Sequence, residues 1–117
     1  MMETFCGTPI TMAPEILQGK RYDRKCDVWS LGAVLFQLVY GKLPFPISEG
    51  YNVFIELVTT KELAFPSSPE MPTEFKDLLR GAMEKNSEAR FDINDFLANK
   101  WIQDGNAALR MSESEGV

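Results

Sequence analysis

Between Cys26 and Gly41 the chain reads CDVWSLGAVLFQLVYG, and its apolar positions leave no continuous polar face. A helix that is apolar all round is one that neighbours cover on several sides, so this stretch predicts a central buried helix ended by Gly41. VLFQLVY is also rich in β-formers, and length decides for the helix, since strands of this size are uncommon. Asp27 at its start and Gln37 inside it argue against a membrane span, which needs about 20 apolar residues.

Elsewhere the apolar spacing is one-sided. Gly7, Pro9 and Pro14 keep Thr4 to Ala13 irregular, and a short helix follows near Pro14 to Leu17 with Pro in its first turn. Tyr51, Phe54, Ile55 and Val58 fall at helical spacing, which predicts an amphipathic helix from Ser48, its cap, to Glu62. The run AFPSSPEMP cannot continue it. Thr73 then caps a helix through Glu84, with Phe75, Leu78, Leu79 and Met83 on one side. Asp92 caps the last, striped by Ile93, Phe96, Leu97 and Trp101. The expected fold class is all-α, about five helices around the central one, in one domain over 1–102. Beyond Ile102 little can be buried, so 103–117 reads as a flexible polar tail.

Composition narrows the chemistry. A chain of 117 residues, 44% hydrophobic, suffices for one small core. A net charge of -5 argues against nucleic acid and acidic membrane surfaces as partners. Lys20, Arg21, Arg24 and Lys25 form a basic cluster that reads as a solvated loop. Cys6 and Cys26, without a secretory signal, predict free thiols in a reducing cytoplasmic or nuclear setting. There is no histidine. His-based metal sites and Ser/His or Cys/His nucleophile pairs are thereby excluded, because each needs an imidazole.

The functional signal lies in motif spacing. Thr4-Phe5-Cys6-Gly7-Thr8-Pro9, Met12-Ala13-Pro14-Glu15, Asp27-Val28-Trp29-Ser30-Leu31-Gly32 and the late Arg90 in EKNSEAR occur in that order. Together they resemble the second half of the catalytic domain of eukaryotic serine/threonine protein kinases. YDRKCDVWSLGAVLFQLVYGKLPF is most similar to autophagy-initiating and calcium/calmodulin-type kinases. Ala-Pro-Glu alone is trivial; in this company an accidental match, and hence an unrelated helical module, is set aside.

The resemblance implies a partial kinase C-lobe over 1–102 and a role for each matching residue. Gly7, Thr8 and Pro9 would lie in the loop that receives the peptide substrate, the Thr8 hydroxyl bonding to the catalytic Asp and Lys. Thr4 stands where such kinases carry an activation-loop phosphosite, and a phosphate adds about -1.5 to -2 charges that can order a loop against Arg. Glu15 and Arg90 would form a buried structural ion pair. Asp27 reads as the N-cap of the central helix and, through the resemblance, as an acceptor for catalytic-loop backbone; Trp29 reads as core.

The catalytic machinery is missing from the sequence. A kinase needs a Gly-rich loop, a strand Lys, a His-Arg-Asp loop with its Asn, and an Asp-Phe-Gly metal ligand. Asp95-Phe96-Leu97 is expected to be a helical turn. No catalytic, cofactor or metal residue is therefore assigned, and ATP and Mg2+ are implied only for a full-length parent, with protein or peptide substrates and an upstream regulatory kinase as partners. Two departures stand out: Thr11 replaces a commonly aromatic residue, and Lys85-Asn86 replaces the usual Asp-Pro. The favoured expectation is a fragment of a kinase domain whose Met1 falls inside the activation loop, inactive alone. The alternative is an inert binding module or pseudokinase fragment that holds substrates or regulators. Either way, part of the central helix should lie uncovered, with marginal folding or aggregation as the consequence.

Overall fold

The computed structural model describes residues 9–105, and among them every regular element is helical. A 3-10 turn, Pro9–Thr11, leads to α1 (Pro14–Leu17), α2 (Lys25–Tyr40), α3 (Tyr51–Thr60), α4 (Thr73–Ala82) and α5 (Ile93–Ala98). A last helical stretch covers 100–105. This is the expected all-α arrangement; the residues beyond 105, most of the expected tail, lie outside the described part. Among the described residues no helix is long and apolar enough to cross a membrane.

α2 is the element on which the others pack: α4, α5 and the 3-10 turn all lie against it, while α1 meets α3. Gly41 ends it in the left-handed region at φ 72°, its N–H returning to Gln37 O at 2.9 Å. Its start differs from expectation. Arg24, not Asp27, holds the N-cap position, and the Asp23 Oδ1 accepts the Lys25 N–H at 2.9 Å. Because Asp23 satisfies a first-turn donor, the helix can begin earlier, and Asp27 sits inside the first turn where a negative charge suits the helix dipole.

Two apolar clusters flank α2. One holds Val28, Trp29, Ala33, Phe45, Phe54, Val58, Leu78 and Phe96; Trp29 and Phe45 stack with centroids 6.3 Å apart. The other holds Phe36, Tyr40, Phe75 and Leu79, with Phe36 and Tyr40 rings 4.7 Å apart and Phe75 edge-on to Trp101 at 4.8 Å. The remaining side of α2 is open: Leu31, Val34 and Leu38 are 42%, 43% and 76% exposed. Their three- and four-residue spacing makes them a single stripe. Full cover of the all-round apolar helix is thus corrected, and the uncovered face that the resemblance implies is present.

Several boundaries shift for local reasons. Gly50, at φ 102°, precedes α3, so Ser48 is not its cap. Pro72 occupies the N-cap position of α4, its carbonyl accepting the Phe75 and Lys76 N–H groups, which makes Thr73 the first helical residue. α4 stops at Ala82 rather than Glu84, and the freed Glu84 carbonyl accepts from Arg90 Nε at 2.7 Å. Asp92 does cap α5, in a reciprocal capping box with Asp95. That helix is only six residues long. Phe96 fills its contact with the core while Ile93 and Leu97 stay about half exposed, so the predicted stripe is only partly buried. Asp95, Phe96 and Leu97 are helical.

Candidate functional site

Arg90 is the polar centre of the fold. Its guanidinium and the Glu15 carboxylate, 75 residues apart in sequence, meet in a two-pronged pair: Nη1 to Oε2 at 2.7 Å and Nη2 to Oε1 at 2.8 Å. Both residues are buried, at 2% and 6% exposure. The remaining donors reach backbone carbonyls, with Nε on Glu84 O, Nη1 on Lys25 O at 3.2 Å and Nη2 on Lys85 O at 3.4 Å. The guanidinium also lies 5.3 Å from the Trp29 ring centroid. One side chain thus ties together α1, the start of α2 and the α4–α5 connection. Only the planar fork of Arg can do this, since Lys offers a point charge with no fixed second donor.

Local sequence explains how the two partners arrive. Pro14 opens α1 at its first position, where a missing N–H costs nothing, and places Glu15 in the first turn. On the other side, Asn86 accepts the Glu88 N–H through Oδ1, while its carbonyl accepts the Ala89 and Arg90 N–H groups at 3.0 Å each. This turn presents Arg90 inward.

The 3-10 turn is fixed to α2 as well. Ser30 Oγ donates to Thr11 O at 2.7 Å, and Thr11 is buried. Pro9 opens this turn; Gly7, Thr8 and Thr4 lie outside the described residues. Asp27 is half-buried near the same end of α2. Cys26 is fully buried and disulfide-bonded, its sulfur 4.0 Å from Asp27 Oδ1, which corrects the expectation of a free thiol there. Compartment and composition say nothing about which sulfurs the fold brings close.

Compared with known proteins, residues 1–102 match the protein kinase domain family. The chain belongs to that family. The kinase chain is 40% identical over 106 residues to serine/threonine-protein kinase ATG1a of Arabidopsis thaliana, covering 89% of this chain and 17% of that protein. It is 32% identical over 117 residues to serine/threonine-protein kinase atg1 of Penicillium rubens, covering 99% of this chain and 12% of that protein. With ATG1 of Pichia angusta the identity is 38% over 103 residues, 87% of this chain and 13% of the relative. The kinase chain therefore spans less than a fifth of the length of these relatives. Their shared name puts the likeness on the autophagy-kinase side of the two groups named from the sequence.

ATP and magnesium, the group a kinase works with, do not fit the residues present. The sequence has no Gly-rich loop, no His-Arg-Asp and no Asp-Phe-Gly. Among the described residues no three His, Cys, Asp or Glu side chains gather as a metal site. A groove of about 540 Å³ is lined by Phe36, Leu43, Ile47 and the prolines Pro44, Pro46 and Pro66. Prolines lack the N–H groups that cradle phosphate.

Sequence reasoning missed Lys85. Its Nζ donates to Val58 O at 2.6 Å, meeting a carbonyl in the last turn of α3, and sits 4.6 Å from the Phe45 centroid and 5.8 Å from that of Trp29. Burial pushes its pKa down, with Glu84 and Glu62 pulling the other way. The Lys85-Asn86 departure from Asp-Pro was the one visible signal, and it gave no hint of these partners.

Proposed function

We propose that these residues are the substrate-docking and structural half of a serine/threonine kinase C-lobe, and that transfer of phosphate from ATP to protein Ser and Thr belongs to the complete kinase domain. The Glu15–Arg90 fork carries this reading. A buried ion pair is expensive to desolvate and finds its use where it fixes geometry. Here it anchors α1 directly behind the turn that Pro9 opens. Gly7, Thr8 and Pro9 receive the substrate peptide, and Thr4 is the phosphosite through which an upstream kinase orders that loop. The open stripe Leu31, Val34 and Leu38 supports the same reading, as a surface for the other half of the domain to cover. ATP and Mg2+ are bound by that other half, in a cytoplasmic or nuclear setting.

The test uses the pure chain with labelled ATP, magnesium and a mixture of Ser- and Thr-containing peptides. No phosphate incorporation is expected. Measurable incorporation would overturn the division of labour. The nucleotide sequence preceding the codon for Met1 provides an independent check: an in-frame Gly-rich loop, strand Lys and His-Arg-Asp loop are expected, and their absence would count against the reading.

A further inference from the structure

The start of α2 and the Pro9–Thr11 turn share one contact face. Ser30, whose hydroxyl holds Thr11 O at 2.7 Å, also lies 3.2 Å from the Cys26 carbonyl, one helical turn back on the same side. Cys26 is disulfide-bonded, and the chain has just one other cysteine, Cys6. Cys6 is itself outside the described residues. It stands three positions before Pro9, so extended chain lets it range no more than about 10 Å from that anchored turn.

We propose that Cys6 and Cys26 are a reversible thiol–disulfide pair which, when oxidised, ties the Gly7-Thr8-Pro9 segment to the start of α2. The linkage is independent of the proposed function; its meaning as a control on substrate docking rests on that reading. A low-molecular-weight disulfide, glutathione disulfide, serves as oxidant. The Cys6 thiolate attacks it, its S–S bond breaks and one glutathione thiol leaves. The Cys26 thiolate then attacks the Cys6 sulfur of the mixed disulfide and releases the second glutathione thiol. Two electrons and two protons pass from the cysteines to the glutathiones. Cys26, fully buried, is the resolving partner, and its place in the first turn of α2 favours the thiolate that this step needs.

The chain also supplies a clean assay. Lys20, Arg21, Arg24 and Lys25 let trypsin separate the peptide 1–20, which carries Cys6, from 26–42, which carries Cys26, so the two remain joined only through sulfur. The full chain is equilibrated in glutathione buffers, alkylated with iodoacetamide and digested without reductant. The joined peptides are expected under oxidising conditions and their separation after dithiothreitol. Oxidation is also expected to slow amide exchange over residues 9–13 by about tenfold, an effect that Cys6→Ser abolishes. Alkylated Cys26 in the oxidised sample, glutathione retained on Cys6, or 26–42 joined to itself in a covalent dimer would each overturn the pairing. Unchanged exchange in the joined species would overturn its action on the loop. Phosphate incorporation by the pure chain would refute the proposed function and leave the sulfur pairing untouched.

Discussion

Around Trp29 and around Tyr40, α2 buries polar atoms in two different ways. On the Trp29 side all five N–H donors of Arg90 find an acceptor, two of them on the Glu15 carboxylate. On the Tyr40 side the hydroxyl is buried among Phe36, Phe65 and Phe75 with no hydrogen-bond partner. The first cluster fixes which segments meet, because directional bonds have one solution. The second contributes volume and apolar burial, which tolerate exchange between side chains of similar shape. Substitutions should therefore hurt most near Arg90 and least at Tyr40.

The sharpest way to break this contrast is Arg90→Met. It leaves the Glu15 carboxylate buried without its partner, at an expected cost of about 3–5 kcal/mol. That is much of the stability of an ordinary domain, about 5–15 kcal/mol. Urea unfolding followed by circular dichroism should show the midpoint collapse. The double variant Glu15→Leu/Arg90→Met should recover more than half of the loss, since a paired deletion leaves no orphaned charge. A loss below about 1 kcal/mol in the single variant would mean that the fork is not what holds these segments.

Gly81→Ala tests the same cluster sterically. A Cβ at Gly81 would overlap the Phe91 ring, while the Phe91 N–H is bonded to Gly81 O at 3.0 Å and holds the two backbones together. The expected loss is about 2 kcal/mol, less than for Arg90, because the ring can give way at a cost in packing. Gly32→Ala meets the flexible Met83 side chain and should lose less. Equal losses at the two glycines would show that backbone pinning by Phe91 is unimportant.

How much of this was legible beforehand differs between the two clusters as well. The periodicity of Phe75, Leu78 and Leu79 placed the inner face of α4, and Gly41 marked the end of α2, because spacing and turn chemistry are local properties. The meeting of Glu15 with Arg90 is not local, and only the likeness to kinases paired them. The Lys85 bond to Val58 O had no antecedent in either kind of reasoning, since it joins two loops through a long flexible side chain. Asp27 misled as a cap because Asp23, four residues earlier, competes for the same role and reaches the Lys25 N–H first.

Lys85→Met asks whether its ammonium adds to the matched cluster. Losing the bond to Val58 O should cost about 1 kcal/mol at neutral pH. Burial lowers the folded pKa of Lys85 below its ordinary value of 10.5, so between those two values the unfolded chain holds more protons. Stability from this group therefore rises with pH through that window and is flat below it. Tyr40 has the opposite sign. Burial raises its pKa above 10.0, so as pH climbs past 10.0 the unfolded chain gives up the proton first and stability falls. Unfolding midpoints measured across the alkaline range should lose the rise in Lys85→Met and keep the fall.

Tyr40→Phe is the mildest change and the one that most directly separates the two clusters. The ring stays, with its contacts to Phe36, Phe65 and Phe75, and only the unpartnered hydroxyl goes. A buried donor without an acceptor is a cost to the folded state, so removing it should leave stability unchanged or raise it by up to about 1 kcal/mol. The alkaline fall assigned to Tyr40 should vanish in the same variant, because no ionisable group remains there. A loss of more than about 1 kcal/mol would mean that the hydroxyl does have a partner. The Tyr40 cluster would then specify geometry as the Arg90 cluster does, and the difference between them would disappear.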